Sequence, residues 1–168
     1  ILPGVGAFGN AMKKLEKNEL KNAILEYARL NQPLLGICLG MQLLFSKSYE
    51  FGIHKGLDLI KGEVIKISNT KNKEIKIPHV GWNEIYPANK KKEWDSKILK
   101  NILIKNNFYF VHSFIAKPLN LDSAVAICDY SDTNVTAVVE VNNTFGCQFH
   151  PEKSGDNGLT ILKNFIEI

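Results

Sequence analysis

At 168 residues, 45% hydrophobic and 23% charged, the chain has the size and composition of one globular domain with a substantial core. No apolar run nears the roughly 20 residues of a membrane-spanning helix and no stretch reads as a signal peptide, so a cytoplasmic protein is expected. The net charge of +4 is lysine-borne, with Arg29 the lone arginine; Arg is the residue suited to bidentate phosphate and base contacts, and a nucleic-acid function is not supported.

Within residues 10–30, Met12, Leu15, Leu20, Ile24, Leu25 and Ala28 recur at mostly helical spacing. Asn10 is the expected N-cap, and Pro33 lies just past the end. The short apolar run 34–37 reads as a buried strand passing directly into a helix that opens at Leu39, so Cys38 falls on a strand-to-helix junction. Residues 63–67 and 74–77 both alternate, and the polar turn 69–73 between them predicts a hairpin. A short helix is expected over 94–102. Strands are expected over 107–112, 124–128, 136–141 and 144–150, the last after a turn at Asn142-Asn143. From 158 to 168, Leu159, Leu162, Phe165 and Ile166 form one apolar helical face. This alternation argues for a single α/β domain over 1–168, its mixed or mostly parallel sheet covered on both faces.

The three cysteines, Cys38, Cys128 and Cys147, form no CxxC pair, so neither a disulfide framework nor a zinc site is indicated. Cys128 and Cys147 lie in runs that read as buried strand. Cys38 stands in Gly36-Ile37-Cys38-Leu39-Gly40, the G-x-nucleophile-x-G form of a nucleophile elbow. Such a turn forces the nucleophile into strained backbone, and glycines flank it because side chains there would collide. The helix N-terminus that follows is expected to favour thiolate.

A cysteine nucleophile needs a base, and the base needs an orienting group. His54 reads as a surface histidine and His79 as structural, while His112, at a strand end before Ser113, could lie near a site. His150 alone has a carboxylate two residues on, in Gln148-Phe149-His150-Pro151-Glu152. In extended backbone i and i+2 point the same way, and Pro151 favours that conformation at His150. Glu152 can therefore hold one imidazole nitrogen while the other faces Cys38. The loop Pro3-Gly4-Val5-Gly6 can present N–H groups to an anion. No G-K-[ST] follows it, so an oxyanion hole shared with Leu39 N–H suits it better than a phosphate loop.

Together these elements resemble the class I (triad-type) glutamine amidotransferases. Within that class they resemble the glutaminase subunits of imidazole glycerol phosphate synthase. The likeness is carried by Leu2-Pro3-Gly4-Val5-Gly6-Ala7-Phe8, by Gly36 to Leu44 around the elbow, and by Ile77-Pro78-His79-Val80-Gly81-Trp82-Asn83. Tyr109-Phe110-Val111-His112-Ser113 and Gln148 to Ser154 complete it. The resemblance implies a three-layer, flavodoxin-like fold with hairpin insertions and a Cys38–His150–Glu152 triad. It implies an oxyanion hole from Gly4, Val5 and Leu39, and glutamine held by Gly6, Gln42, Glu50 and Ser113. Pro3, Tyr109 and Lys153 match positions facing a (β/α)8 cyclase, the heterodimer partner that receives the ammonia. No cofactor or metal is implied. Family members carry a strand–helix–strand unit ahead of the LPGVG loop, so the functional protein is expected to have residues before Ile1.

Two departures keep the ammonia acceptor open. Phe114 stands where the family often has tyrosine, and Phe45 to Glu50 replaces an acidic stretch. Histidine biosynthesis leads, with a paralogue serving a surface-glycan synthetase as the alternative. A non-catalytic binding module and a cysteine peptidase are further readings.

Overall fold

The structure, a computed structural model, describes residues 1–68, 75–88 and 92–168. The first helical stretch divides into α1 (Phe8–Lys17) and α2 (Leu20–Arg29). The step from Leu15 to Leu20 is five residues, out of helical phase. A break there, with Glu19 at φ 59°, lets Leu15, Ile24 and Leu25 reach the same core. The helix opens at Phe8 rather than beyond Asn10. Its N-cap is Ala7, which makes no side-chain capping bond, and Phe8 N–H donates instead to Glu50 Oε2 at 2.6 Å.

Next come β1 (Leu34–Ile37), α3 (Leu39–Leu43), β2 (Phe45–Ser48), β3 (His54–Lys55) and β4 (Ile60–Lys66). They are followed by β5 (His79–Glu84), β6 (Tyr86–Pro87), β7 (Asn107–His112) and β8 (Phe114–Pro118). The chain closes with β9 (Ala124–Tyr130), β10 (Thr133–Val141), β11 (Thr144–Cys147) and α4 (Gly155–Ile166). Among the described residues the strands form three sheets, ordered β1-β11-β10-β9-β6, β3-β2-β4-β8 and β5-β7. The central sheet is mixed. Parallel pairing is confined to its elbow end, where β1 runs beside β11 and Leu2 bridges to Gly36; β10, β9 and β6 then pair antiparallel.

With three of its four strand pairings antiparallel, the central sheet is not mostly parallel as expected, and two further expectations change. The hairpin's turn, 69–73, and Glu74 lie outside the described residues, but β4 pairs with β2 and β8, and Ile75 and Lys76 are not in a strand. Residues 94–102 form turns instead of a helix. Ile98 and Leu99 are fully buried, and the carbonyls of Ile98 and Lys100 accept from Asn164 Nδ2 of α4, at 2.9 and 2.6 Å. Tertiary partners thus take carbonyls that a helix would have used internally.

Alternation along the central strands sends side chains to two cores. Leu35, Ile37, Val138, Phe145 and Cys147 meet Ile161 and Phe165 of α4 on one face. Leu34 and Val139 meet Phe8 and Met12 of α1 on the other. Helices therefore cover both faces, and the end of β1 delivers Cys38 at the seam between the two cores.

Candidate active site

Cys38 has φ 53° and ψ −109°, a region that a residue with a Cβ occupies only under strain. Its N–H donates to Cys147 O at 2.7 Å, and its carbonyl accepts from Gln42 N–H at 3.2 Å, closing the first turn of α3. The flanking glycines are sterically required. A Cβ on Gly36 would stand 2.7 Å from the backbone of Gly40, and one on Gly40 would stand 1.7 Å from Leu2 O. The first glycine-rich loop and the elbow are thus packed backbone to backbone.

His150 and Glu152 come from the chain leaving β11. That strand ends at Cys147, earlier than the predicted 150, because the chain turns from β10 to lean on β7. Gln148 N–H donates to Ala137 O at 2.9 Å, and His150 N–H donates to Tyr109 O at 2.9 Å. Ser154 Oγ donates to His150 O at 2.6 Å and accepts from Tyr109 N–H at 3.0 Å. His150, 4% exposed, places Nδ1 2.6 Å from Glu152 Oε1, so Nδ1 carries the proton given to the carboxylate and Nε2 is left with a free lone pair. Glu152 itself is half exposed.

A cleft of about 480 Å³ is lined by Cys38, Leu39, Gln42, Glu50, Ser113 and His150, with Val5, Gly6 and Ala7 at one wall. It therefore gathers residues expected for nucleophile, base, oxyanion hole and glutamine. Gly4 is not among the lining residues and packs against the Leu39 side chain. Glu152 acts from behind His150. Gln42 has committed its amide protons: Nε2 donates to Phe114 O and to Gln148 Oε1, each at 3.0 Å, leaving Oε1 for a ligand.

The expected thiolate is not the resting form. Burial pushes the Cys38 thiol up to about 11; the Leu39 N–H pulls it down, Glu152 raises it further and Lys153 opposes that rise. The dipole of a five-residue helix does not offset the loss of water. The S–H instead lies 3.9 Å from Val111 O. Cys128, pushed up to about 12 by burial, and Cys147, higher still, are fully buried core residues.

His54 packs over Gly9 of α1 on β3 and has no place in the cleft. His79 is structural, buried between Phe110 (4.9 Å) and Tyr130 (3.9 Å). His112 lines the cleft, as its position beside Ser113 hinted. Its Nδ1 is 2.9 Å from Phe114 O and its Nε2 is 3.1 Å from His79 Nδ1. Burial holds His79 down to about 4 and His112 to about 3, where proximity to His79 adds to the effect.

Of the positions expected to face a partner, Pro3 and Lys153 are exposed, and Tyr109 lies edge-on to Trp82 at 6.1 Å. Beside Tyr109 the β5–β7 ribbon also exposes Val80 (53% exposed), Trp82 (57%) and Val111 (36%), to which the sequence reading gave no role of their own. Their signal was available as alternation, since His79, Phe110 and His112 take the inward positions.

A family model described as Glutamine amidotransferase class-I matches residues 1–168. The imidazole glycerol phosphate synthase subunit HisH of Wolinella succinogenes is 51% identical over 169 residues, covering 100% of this chain and 80% of that protein. Subunit HisH 1 of Legionella pneumophila (strain Paris) is 46% identical over 170 residues, with the same coverage. A solved structure titled as a glutamine amidotransferase superposes with a TM-score of 0.67 at 16% identity, covering 98% of this chain and 75% of that one, which speaks for the fold alone. With the elbow, the histidine–glutamate pair and the mixed sheet already in place, these likenesses put the chain in the class I glutamine amidotransferases, in the HisH family of imidazole glycerol phosphate synthase subunits.

Proposed function

We propose that the chain hydrolyses glutamine to glutamate and ammonia and passes the ammonia to a (β/α)8 cyclase partner, which makes imidazole glycerol phosphate and aminoimidazole carboxamide ribotide. The observation that carries this reading is the strained Cys38 in one cleft with His150, whose far nitrogen is held 2.6 Å from Glu152. Because the resting thiol is protonated, His150 Nε2 takes its proton as sulfur attacks the amide carbon of glutamine. Leu39 N–H and the Gly4-Val5 loop receive the oxyanion. The imidazolium, steadied by Glu152, gives its proton to the departing nitrogen, the C–N bond breaks and a Cys38 thioester remains. His150 then deprotonates water, which attacks the thioester and releases glutamate, and the thiol regains its proton. Gln42 Oε1, Glu50, Ser113 and Gly6 hold the substrate.

The names of the relatives favour the histidine-pathway acceptor over a glycan synthetase. A glutamine-mimicking electrophile is expected to modify Cys38 and spare Cys128 and Cys147, and Cys38→Ala should abolish glutaminase activity. Turnover surviving in Cys38→Ala overturns the chemistry. Growth of a deletion strain without histidine overturns the acceptor.

A further inference from the structure

The cleft is backed by a chain of buried neutral groups that the triad does not use. Phe114 O, which can only accept, lies 2.9 Å from His112 Nδ1 and 3.0 Å from Gln42 Nε2. Gln42 Nε2 also reaches Gln148 Oε1 at 3.0 Å. A carbonyl at one end therefore fixes which way the Gln42 amide faces, and Gln42 in turn fixes Gln148. Gln148 must accept at Oε1 and so presents its Nε2, as donor, to Cys38 Sγ at 3.9 Å. Gln148 is fully buried and Gln42 is 5% exposed, so neither amide can exchange these partners for water without rearrangement.

We propose that Gln148 is a further catalytic residue of this reaction, donating Nε2–H to the Cys38 sulfur and stabilising the negative charge that sulfur acquires as it loses its proton, with Gln42 as the positioning residue that orients the amide. The inference rests on the glutaminase reading for its meaning, but its geometry is independent of the ammonia acceptor. A sulfur buried this deeply gains little from bulk water, which makes one aimed donor weigh heavily. The donor belongs to a fully buried residue that is not among those lining the cleft. It can therefore serve the thiolate and, at the end of the cycle, the departing sulfur without competing for the substrate.

The test compares wild type with Gln148→Met, which has no donor, and Gln148→Glu, which keeps the oxygen for Gln42 and replaces the donor, in the full-length protein with its cyclase partner. Cys38 alkylation by iodoacetamide is followed against pH. His150, His112, Glu50, Glu152 and Lys153 lie about the thiol in every variant, and Gln148→Glu adds a carboxylate whose negative charge is expected to raise the inflection further than Gln148→Met does. The inflection is expected to move up by about one pH unit in Gln148→Met, the size of a charge-assisted hydrogen bond. Glutaminase kcat should fall about tenfold with KM within about twofold. An unchanged inflection, or a loss confined to KM or to melting temperature, overturns the proposal. Should neither variant fold, the Gln148 side-chain amide resonance of the wild-type protein is expected to shift when Cys38 is alkylated, and no shift overturns it equally. If the wild-type cysteine ignores a glutamine-mimicking electrophile while iodoacetamide still titrates it, the glutaminase reading fails and the assignment of Gln148 as donor to the sulfur is judged on the inflection alone.

Discussion

Cys38 bears a backbone cost that Cys128 and Cys147, neither of them at positive φ, do not. Its φ of 53° with ψ −109° is strained for any residue with a Cβ, and its thiol is pushed up to about 11 by burial. Strain of this kind costs about 1–3 kcal/mol and persists only where the surroundings over-determine it. Cys38→Gly is therefore expected to be more stable than Cys38→Ala by about 1–3 kcal/mol, since both lose the thiol and only glycine relieves the backbone. Chemical denaturation of the two variants measures this; equal stability would show that the elbow is not strained. Acid brings out another buried pair. His79 and His112 sit below their ordinary 6.5, at about 4 and about 3, so the unfolded chain takes up their protons first as pH falls. Their neutral forms contribute stability that is complete above about 6.5 and lost as pH drops through the folded values. His79→Gln should flatten that acid limb by about 1.4 kcal/mol per pH unit between 6 and 4. Melting curves across this range check the slope, and an unaltered one rejects His79 as a source.

Elements decide where these residues meet. The Pro3-Gly4-Val5-Gly6 loop and the elbow touch through backbone, because a Cβ on Gly40 would fall 1.7 Å from Leu2 O. No rotamer change can relieve a clash with a main-chain oxygen. Gly40→Ala should therefore cost about 3 kcal/mol or more, the upper range for overpacking, and lower glutaminase activity by displacing the loop proposed to hold the oxyanion. Thermal melts with parallel activity assays separate this from a tolerated change. β7 has a comparable organising role on the other side. Tyr109 O holds the His150 backbone and Val111 O lies by the thiol, while the outward side chains of the same strand lie on the exposed ribbon.

At the scale of the whole molecule, that ribbon joins an exposed apolar surface to the backbone beside Cys38 and His150. Trp82 and Val80 stand more than half exposed next to Tyr109, an apolar group of the sort that anchors interfaces. Trp82→Ala is expected to weaken binding of the cyclase by about 30-fold, corresponding to about 2 kcal/mol for a hot-spot aromatic. Calorimetric titration measures it. Unchanged affinity would place the interface elsewhere. Glutaminase turnover of the lone subunit should be low and rise with the partner and its ligand, if the glycine-rich loop has to rearrange to present the N–H groups proposed for the oxyanion.

The sequence alone was enough for the local geometry. The glycines around Cys38, and the proline that sets Glu152 beside His150, act over a few residues through steric and dihedral constraints that any fold must obey. The buried character of β1, β9 and α4 was equally local, written in apolar runs and faces. Tertiary structure decided the rest. It broke the first helix at Asn18-Glu19 and gave its N-terminus to Glu50. It turned 94–102 into loops by offering their carbonyls Asn164, and it paired β4 with β8 across about fifty residues. It also reversed the expected ionisation of Cys38, because burial is a property of everything packed around a group and cannot be read from its neighbours in the chain. The orientation of Gln148 has the same origin. It is set by a carbonyl at Phe114, 34 residues away, through a hydrogen bond made by a third residue, Gln42.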